Sequence, residues 1–259
     1  MKLYIVNAFS KKKFGGNPAA VVPLLQWLSE DRMQHIAEQN NLAETAFVIP
    51  EGKNFYIRWF TPTVEVDLCG HATLATAHVY FNHLGYDKSR IVFNSKSGEL
   101  PVRREKNGSM TLDFPVNNPV PADMLQAVVE GLQVRPIALY NSRFDYLAVF
   151  DKQSDIEKLS PDFRVLSQIK SRGLIATARG DEVDFVSRCF FPQSGIDEDP
   201  VTGSAHTVRV PFWASQLGKN RLSAMQLSQR RGWLDCELAE DRVLIGGFAN
   251  TYLEGQIYI

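Results

Sequence analysis

The stretch Asp197-Glu-Asp-Pro-Val-Thr-Gly-Ser-Ala-His206 runs from acidic residues through a proline into a Thr-Gly-Ser turn, and the turn predicts the start of a helix. Taken alone, these residues have an ordinary interpretation, because Asp, Ser and Thr commonly cap helix N-termini. A functional interpretation is equally open, since the same residues would bring carboxylate and hydroxyl groups to a helix N-terminus, which favours bound anions.

An earlier copy of this pattern favours a duplicated fold. Arg58-Trp-Phe-Thr-Pro62 recurs later in the chain as Arg188-Cys-Phe-Phe-Pro192. At a slightly longer offset, Gly70-His-Ala-Thr73 recurs as Gly203-Ser-Ala-His206. Internal repeats predict related structural units. We therefore expect an N-terminal lobe at residues 1–116 and a C-terminal lobe at residues 117–259, with the last strand as the one segment that could return to the N-terminal lobe.

The predicted helix at residues 72–83 indicates how each lobe is built. Leu74, Val79 and Phe81 are distributed around it among Ala and Thr, so it has no polar face. A helix that is apolar on all sides is expected to be buried on all sides. Alternating segments on both sides of it predict strands that could wrap it. We predict an α+β fold of two pseudo-symmetric lobes, each a barrel-like, mostly antiparallel sheet around one central helix.

The second central helix, predicted at residues 204–217, is less regular than the first. Pro211 cannot donate a backbone hydrogen bond and is expected to kink this helix. Arg209 is a candidate for a substrate contact or an interface residue. The second lobe is also predicted to contain helices near 122–131 and 155–169.

Composition excludes several classes of protein. The chain has 259 residues, of which 44% are hydrophobic and 22% charged, and its formal net charge is −1. Lys and Arg are spread along the chain rather than concentrated on one face, so nucleic-acid binding is not indicated. No segment reaches the ~18 consecutive apolar residues of a membrane span. The three cysteines lack the spacing of a disulfide framework or a zinc site. The N-terminus alternates like a strand rather than a signal peptide, so we expect a cytoplasmic protein without a bound metal.

Two N-terminal segments could carry chemistry. Glu44 is predicted at the entrance of a strand, beside Leu42 and Ala43. Its carboxylate either faces water, as most glutamates do, or lies near an apolar cleft, where desolvation raises its pKa and suits it to proton transfer. The segment Phe14-Gly-Gly-Asn-Pro18 is either a simple hairpin connection or a turn whose backbone amides hold an anion.

Five motifs, taken together, resemble the PhzF family of phenazine biosynthesis-like isomerases. In chain order they are Phe14-Gly-Gly-Asn-Pro-Ala-Ala-Val-Val22, Ala43-Glu-Thr-Ala-Phe-Val48, Arg58-Trp-Phe-Thr-Pro62, Cys69-Gly-His-Ala-Thr73 and Asp199-Pro-Val-Thr-Gly-Ser-Ala-His206. The resemblance covers both lobes. It implies a diaminopimelate-epimerase-like fold and a homodimer.

The same resemblance implies a set of site residues in a cleft between the lobes. The proton-transferring glutamate corresponds to Glu44, and the assisting residues correspond to His71, Asp199 and Ser204. The residues expected to bind a small anionic substrate around them are Gly16, Asn17, Gly70, Ala72, Thr202 and Gly203. Amide groups at the two helix N-termini would stabilise a carboxylate or an enolate, so a base at Glu44 could complete an isomerisation without a redox change and without a cofactor.

Three functions remain open on the sequence alone. The favoured one is a cofactor-independent isomerase. The second is an epimerase or racemase of an amino-acid-like acid, which inversion of a stereocentre would reveal. Racemases of this fold use one thiol per lobe, but here no cysteine lies between Phe190 and Asp235, which argues against a two-thiol mechanism. The third is a catalytically silent binding protein, which would bind a ligand without turnover.

Overall fold

The computed structural model describes all 259 residues and divides them into two compact units. Unit 1 comprises Met1–Asp113 and Gly246–Ile259, and unit 2 comprises Phe114–Ile245. Unit 2 begins slightly before residue 117, the boundary drawn from the sequence. The C-terminal segment belongs to unit 1, which is the return of the last strand that the sequence left open. No helix is both long enough and apolar enough to cross a membrane.

Eighteen strands and six α-helices make up the fold. The strands are β1 (Lys2–Ala8), β2 (Asn17–Pro23), β3 (Glu44–Glu51), β4 (Asn54–Phe60), β5 (Glu65–Val66), β6 (Arg90–Ser95), β7 (Gly98–Arg104), β8 (Met110–Pro115), β9 (Val120–Ala122), β10 (Ala138–Asn141), β11 (Asp145–Val149), β12 (Gly173–Arg179), β13 (Phe185–Phe191), β14 (Ile196–Asp199), β15 (Arg221–Gln226), β16 (Gly232–Ala239), β17 (Arg242–Gly247) and β18 (Ala249–Gln256). The helices are α1 (Glu30–Asn40), α2 (Gly70–Asn82), α3 (Gln126–Leu132), α4 (Gln153–Glu157), α5 (Phe163–Leu166) and α6 (His206–Leu217).

In unit 1 the strands pair in the order β18, β1, β2, β3, β4, β6, β7, β8. Every pair is antiparallel except β2 with β3 and β4 with β6. Parallel neighbours need a crossover connection. Helix α1 provides the first crossover and α2 the second, and α2 contacts β1, β2, β3 and β18. An apolar cluster that includes Met33 of α1 and Phe47 of β3 fills the side of the sheet next to α1.

Helix α2 is buried on all sides, as its composition predicted. Of its 13 residues only His78 and Asn82 lie outside the buried set. Two threonines are tolerated in this apolar setting because their hydroxyls return to their own helix: Thr73 Oγ1 donates to the Cys69 carbonyl at 2.5 Å, and Thr76 Oγ1 to the Ala72 carbonyl at 2.8 Å. The small side chains thus satisfy their own polar atoms and leave the helix surface free to pack.

Unit 2 repeats this plan. Its strands pair in the order β9, β10, β11, β12, β13, β15, β16, and the parallel pairs are β11 with β12 and β13 with β15. Helices α4 and α5 form the first crossover, where the sequence predicted one helix at 155–169, and α6 forms the second. The shared order of parallel and antiparallel pairs is the structural counterpart of the sequence repeat, and the predicted α+β fold class is confirmed.

Helix α6 departs from the prediction at its start. It begins at His206, after a turn at residues 203–205, and its N-cap residue Ala205 makes no side-chain cap. The ordinary capping interpretation of Thr202 and Ser204 is therefore wrong. Inside the helix Pro211 leaves the Thr207 carbonyl without its usual donor, and the backbone N–H of Asn117 occupies that carbonyl at 3.1 Å.

A pair of arginines shows how far the duplication extends. Arg58 donates to both carboxylate oxygens of Glu65, at 2.7 and 2.8 Å. Arg188 makes the same forked contact with Glu198, at 2.8 and 2.7 Å. Glu65 and Glu198 are separated by the same offset as the two motif glycines. In each unit this ion pair ties the strand that carries the arginine to the segment that leads into the central helix.

Candidate functional site

Glu44 and His71 form the core of the candidate site in unit 1. Glu44 is the first residue of β3, and His71 is the second residue of α2. His71 Nε2 lies 3.2 Å from Glu44 Oε2, and the two side chains are 4% and 14% exposed. The carboxylate is thus shielded from water and held by an imidazole, so the solvent-facing alternative for Glu44 is wrong.

The other side of the imidazole is also held. Asn17 Nδ2 lies 3.2 Å from His71 Nδ1, and Cys69 Sγ lies 3.5 Å from the same nitrogen. An amide NH₂ group is a donor only, so Nδ1 acts as the acceptor in this arrangement. His71 is therefore held between two groups, with Asn17 at Nδ1 and the Glu44 carboxylate at Nε2. Asn17, Glu44 and His71 are far apart in the sequence, and the fold brings them into contact.

The same part of unit 1 groups three side chains that could ligate a metal ion. Glu44, Cys69 and His71 offer ligand atoms that all lie within 4.8 Å of one another. The carboxylate contacts Nε2, whereas the sulfur lies beside Nδ1. In the structure these side chains therefore contact one another through both nitrogens of the imidazole.

The remaining unit 1 candidates form the backbone around these side chains. Gly16 has φ of 75°, and a Cβ atom at this position would lie 2.1 Å from the Ala8 carbonyl oxygen. A glycine is therefore required here for local packing, whatever else Gly16 does. Gly70 and Ala72 lie in the first turn of α2 and are buried. Backbone N–H groups in a first helical turn have no partner within the helix and carry partial positive charge.

In unit 2, Asp199 is part of a buried network. Asp199 ends β14, and Thr202 Oγ1 donates to its Oδ2 at 2.5 Å. Gln226 connects the same two residues: its Oε1 accepts from the Thr202 backbone N–H at 2.9 Å, and its Nε2 donates to the Asp199 carbonyl at 2.7 Å. Asp199 and Thr202 are therefore adjacent, as the motif predicted, and Gln226 fixes the turn that joins them.

Ser204 is held from a different part of unit 2. Its hydroxyl oxygen accepts from Arg172 Nη1 at 3.2 Å, and its carbonyl accepts from the Thr207 hydroxyl at 2.7 Å. The Gly203 carbonyl accepts from the His206 N–H at 3.0 Å, which closes the turn before α6. Ser204 is thus positioned by contacts on both sides.

Arg209 lies in the interior of unit 2 and not at a surface. It is fully buried, and its guanidinium donates to the Ser187 hydroxyl and, at 3.2 Å, to the Thr202 carbonyl. Its Nε has no hydrogen-bond partner. Burial and the charge of Arg209 lower the pKa of His206 well below its usual value, so His206 is neutral. Both proposals for Arg209, a substrate contact and an interface residue, are inconsistent with this position.

The cysteines of unit 2 are equally enclosed. Burial raises the pKa of Cys189 to about 11 and that of Cys236 to about 12. Thiols with such pKa values are protonated near neutral pH and are poor bases. The absence of an activated thiol in unit 2 agrees with the sequence argument against a two-thiol mechanism.

Sequence reasoning missed Gln226 and the pair formed by Arg172 and Asp145. Gln226 lies 27 residues from Asp199, and Arg172 lies 32 residues from Ser204. Neither belongs to a recurring motif, and glutamine and arginine on strands or loops are ordinarily exposed. The pairing of β13 with β15 brings Gln226 to Asp199. The crossover before β12 brings Arg172 to Ser204.

The known proteins that this chain resembles match it across both units. A family model described as phenazine biosynthesis-like protein, PhzC-PhzF, matches residues 6–255. An uncharacterized isomerase of Pseudomonas aeruginosa is 47% identical, and the match covers 100% of this chain and 99% of that protein. A crystal structure of a PhzF-family protein from Enterococcus faecalis is 45% identical with a TM-score of 0.96, covering 100% of this chain and 99% of that one.

A more distant structure shows the fold alone. A probable proline racemase from Agrobacterium radiobacter has a TM-score of 0.68 at 9% identity, covering 100% of this chain and 93% of that one. This chain therefore shares the fold of that protein, although the chemistry of that protein does not follow from the fold.

Proposed function

The chain belongs to the PhzC-PhzF family of phenazine biosynthesis-like proteins, and on that premise we propose that it is a cofactor-independent isomerase of a small anionic metabolite, with Glu44 as the proton-transferring base. The relatives named as isomerases support the reaction class. The single observation that carries the proposal is the contact of 3.2 Å between Glu44 Oε2 and His71 Nε2 in a largely buried setting.

The contact with His71 prepares Glu44 for its role. The imidazole lies against the carboxylate at Nε2 and limits its orientation, while Asn17 contacts the ring at Nδ1. A general base must be ionised and held within hydrogen-bond reach of the proton that it removes. Glu44 would take a proton from a carbon atom next to a carbonyl or an unsaturated bond, and the electron pair of that C–H bond would move into an enolate or dienolate.

The N-terminus of α2 would stabilise the charge that develops. Amide groups at Gly70, His71 and Ala72 carry partial positive charge, equivalent to about half an elementary charge at a helix N-terminus. In a site shielded from water such dipoles act on a developing oxyanion with little screening. The enolate would then be reprotonated at another carbon atom, so the substrate is rearranged with no net oxidation or reduction.

Asp199 and Ser204 are proposed to act on the same substrate in the second proton transfer. Thr202 and Gln226 hold Asp199, and Arg172 holds Ser204. If Asp199 delivers the proton to the new position, Asp199→Asn should reduce formation of the rearranged product more than it reduces exchange of the original C–H. The two activities are measured in one reaction by mass spectrometry.

The test of the proposal is hydrogen exchange in deuterium oxide. A panel of small unsaturated and cyclic carboxylic acids is incubated with the protein, and uptake of carbon-bound deuterium is measured by NMR and mass spectrometry. Glu44→Gln keeps the shape but removes the base, and we expect it to slow exchange by about 10²–10⁴-fold. Exchange by Glu44→Gln at the wild-type rate would refute Glu44 as the base.

Two controls accompany this experiment. Glu38→Gln alters an exposed glutamate of α1 and should leave exchange unchanged. Exhaustive chelation followed by dialysis should also leave the wild-type rate unchanged, and restoration of a lost activity by a metal ion would contradict cofactor independence. Chiral analysis of the products separates isomerisation from epimerisation, which would return the proton to the same carbon on its opposite face.

A further inference from the structure

The guanidinium of Arg172 is fixed on several sides within unit 2. Its Nε donates to Asp145 Oδ1 at 2.8 Å and its Nη2 donates to Asp145 Oδ2, so the carboxylate occupies one forked edge. The rings of Phe144 and Phe191 each lie 5.5 Å from the guanidinium carbon. Asp145 is fully buried. These contacts give the guanidinium one defined orientation rather than the mobility of a surface arginine.

The guanidinium also contacts the candidate site. Nη1 donates to the Ser204 hydroxyl at 3.2 Å. Burial lowers the pKa of Arg172, but the hydrogen bonds and charge of Asp145, with a smaller contribution from the charge of Asp199, raise it above its ordinary value. Arg172 is therefore a permanent cation whose neighbours include both Ser204 and Asp199.

The count of donors shows what Arg172 can still bind. A guanidinium has five N–H groups. Asp145 takes two of them and Ser204 takes one. The two that remain belong to Nη1 and Nη2, and the side chain is 33% exposed, so solvent can reach it. Two N–H donors on one planar guanidinium suit a carboxylate.

We propose that Arg172 binds a carboxylate group of the substrate through its remaining Nη1 and Nη2 donors while it positions Ser204. This inference rests on the proposed function and extends it, because it assigns a carboxylate recognition site to unit 2. Asp145 is the positioning residue behind it, since it orients the guanidinium without approaching the substrate. Phe144, which is 47% exposed beside Arg172, provides an apolar surface next to the bound group.

The experiment measures carboxylate binding directly. Malonate and its uncharged equivalent malonamide are titrated into the full-length protein by isothermal calorimetry and NMR. Wild type should bind malonate saturably and malonamide far more weakly. Arg172→Lys keeps the charge but loses the fork, and we expect the dissociation constant for malonate to rise at least about tenfold.

Removal of Arg172 alone would leave the buried Asp145 carboxylate uncompensated and could unfold the protein. The second variant is therefore Asp145→Asn with Arg172→Gln, which replaces the ion pair by two amides of similar size. It should fold, as judged by circular dichroism, and lose saturable malonate binding. Arg164→Gln, which alters an arginine with 92% exposure in the same unit, is the matched control and should bind malonate like the wild type.

Each outcome decides the inference. Malonate binding by the folded double variant at wild-type affinity would overturn it, and so would the absence of saturable binding by the wild type, because the guanidinium is already oriented. On an exchanging substrate, Arg172→Lys should raise KM with kcat changed only a few-fold. Glu44→Gln should lose exchange yet keep malonate binding. If malonate binding is independent of Arg172 while exchange requires Glu44, this inference fails and the proposed function stands. If malonate binding requires Arg172 while exchange does not require Glu44, only the assignment of Glu44 as the base is refuted.

Discussion

At the offset that separates Gly70 from Gly203, Thr73 of α2 corresponds to His206 of α6, and Thr76 corresponds to Arg209. Thr73 bonds to the carbonyl four residues earlier through its hydroxyl, at 2.5 Å, and His206 Nδ1 lies 2.9 Å from the corresponding carbonyl of Thr202. A small hydroxyl and a large imidazole thus perform the same local task. His206 is an internal support in unit 2 and does not repeat the role of His71.

The residue that corresponds to His71 is Ser204. Each is the first residue after the motif glycine, and each is held by a side chain from elsewhere in its own unit: His71 by Asn17 at 3.2 Å, and Ser204 by Arg172 at 3.2 Å. The duplication has therefore kept the position and its supporting contact while the chemistry diverged. Unit 1 offers an imidazole beside a carboxylate, whereas unit 2 offers a hydroxyl beside a guanidinium.

The largest effect on activity is expected when His71 and His206 are each replaced by asparagine in separate variants. His71→Asn removes the group that contacts Glu44 and should slow hydrogen exchange by about 10²–10⁴-fold. Loss of its buried contact with Asn17 should also lower the free energy of unfolding by about 1–3 kcal/mol. His206→Asn should leave exchange within a few-fold of wild type but lower the free energy of unfolding by about 1–3 kcal/mol, because a buried hydrogen bond is lost. Exchange rates and urea unfolding of both variants provide the measurement.

This pair of variants also tests whether His206 is only an internal support, in contrast to His71. If His206→Asn slowed exchange as strongly as His71→Asn without loss of stability, His206 would take part in the chemistry, and the correspondence with Thr73 would be misleading. Ser204→Ala is the matched variant for unit 2. It should affect exchange less than His71→Asn, since a neutral hydroxyl contributes less than the partner of the base.

The next effect concerns the interiors of the two central helices. Arg209→Ala should lower the free energy of unfolding by about 2–5 kcal/mol, because it empties a filled, buried position. Arg209→Met keeps most of the volume and removes a buried charge that contacts hydroxyl, carbonyl and thiol groups rather than a carboxylate. Such replacements are often neutral or stabilising. At the corresponding position in α2, Thr76→Ala should lower the free energy of unfolding by about 1 kcal/mol.

Urea unfolding of the three variants distinguishes packing from charge at this position. If Arg209 stabilises unit 2 through its volume, Arg209→Met must be clearly more stable than Arg209→Ala. Equal loss in the two variants would show that the guanidinium's hydrogen bonds, and not its volume, stabilise unit 2.

These helices also show how far the sequence could be interpreted. The burial of α2 could be predicted because it has no polar face, whereas the site residues in the motifs were named from the resemblance of those motifs to the PhzF family. The burial of Arg209 could not, since charged side chains are ordinarily exposed. Arg172 was missed for a different reason: its contact with Ser204 depends on the crossover that precedes β12, and no local pattern encodes which side chain that crossover presents. Nor could the sequence show that Thr202 bonds Asp199 instead of capping α6.

The smallest expected effect is a pH dependence that differs between corresponding positions. His78 of α2 corresponds to Pro211 of α6, so only α2 carries an ionisable group there. Burial, with a smaller contribution from the charge of His83, lowers the pKa of His78 to about 4. In the unfolded chain the pKa of a histidine is about 6.5. Between these values the unfolded state binds the additional proton, so acidification favours unfolding.

His78 should therefore contribute nothing to the pH dependence above about pH 6.5, and stability should fall as the pH is lowered from there to about 4. The slope is at most about 1.4 kcal/mol per pH unit, or about 3 kcal/mol over the whole range. His206 adds a slope of the same sign, because its pKa is also lowered, so the wild-type slope contains both contributions. His78→Gln should remove its own share, seen as a shallower slope in urea unfolding at pH 7, 6 and 5. His35→Gln, on the exposed side of α1, is the control. An unchanged slope in His78→Gln would place the acid sensitivity of the chain elsewhere, with His206 as the remaining buried histidine whose pKa is lowered.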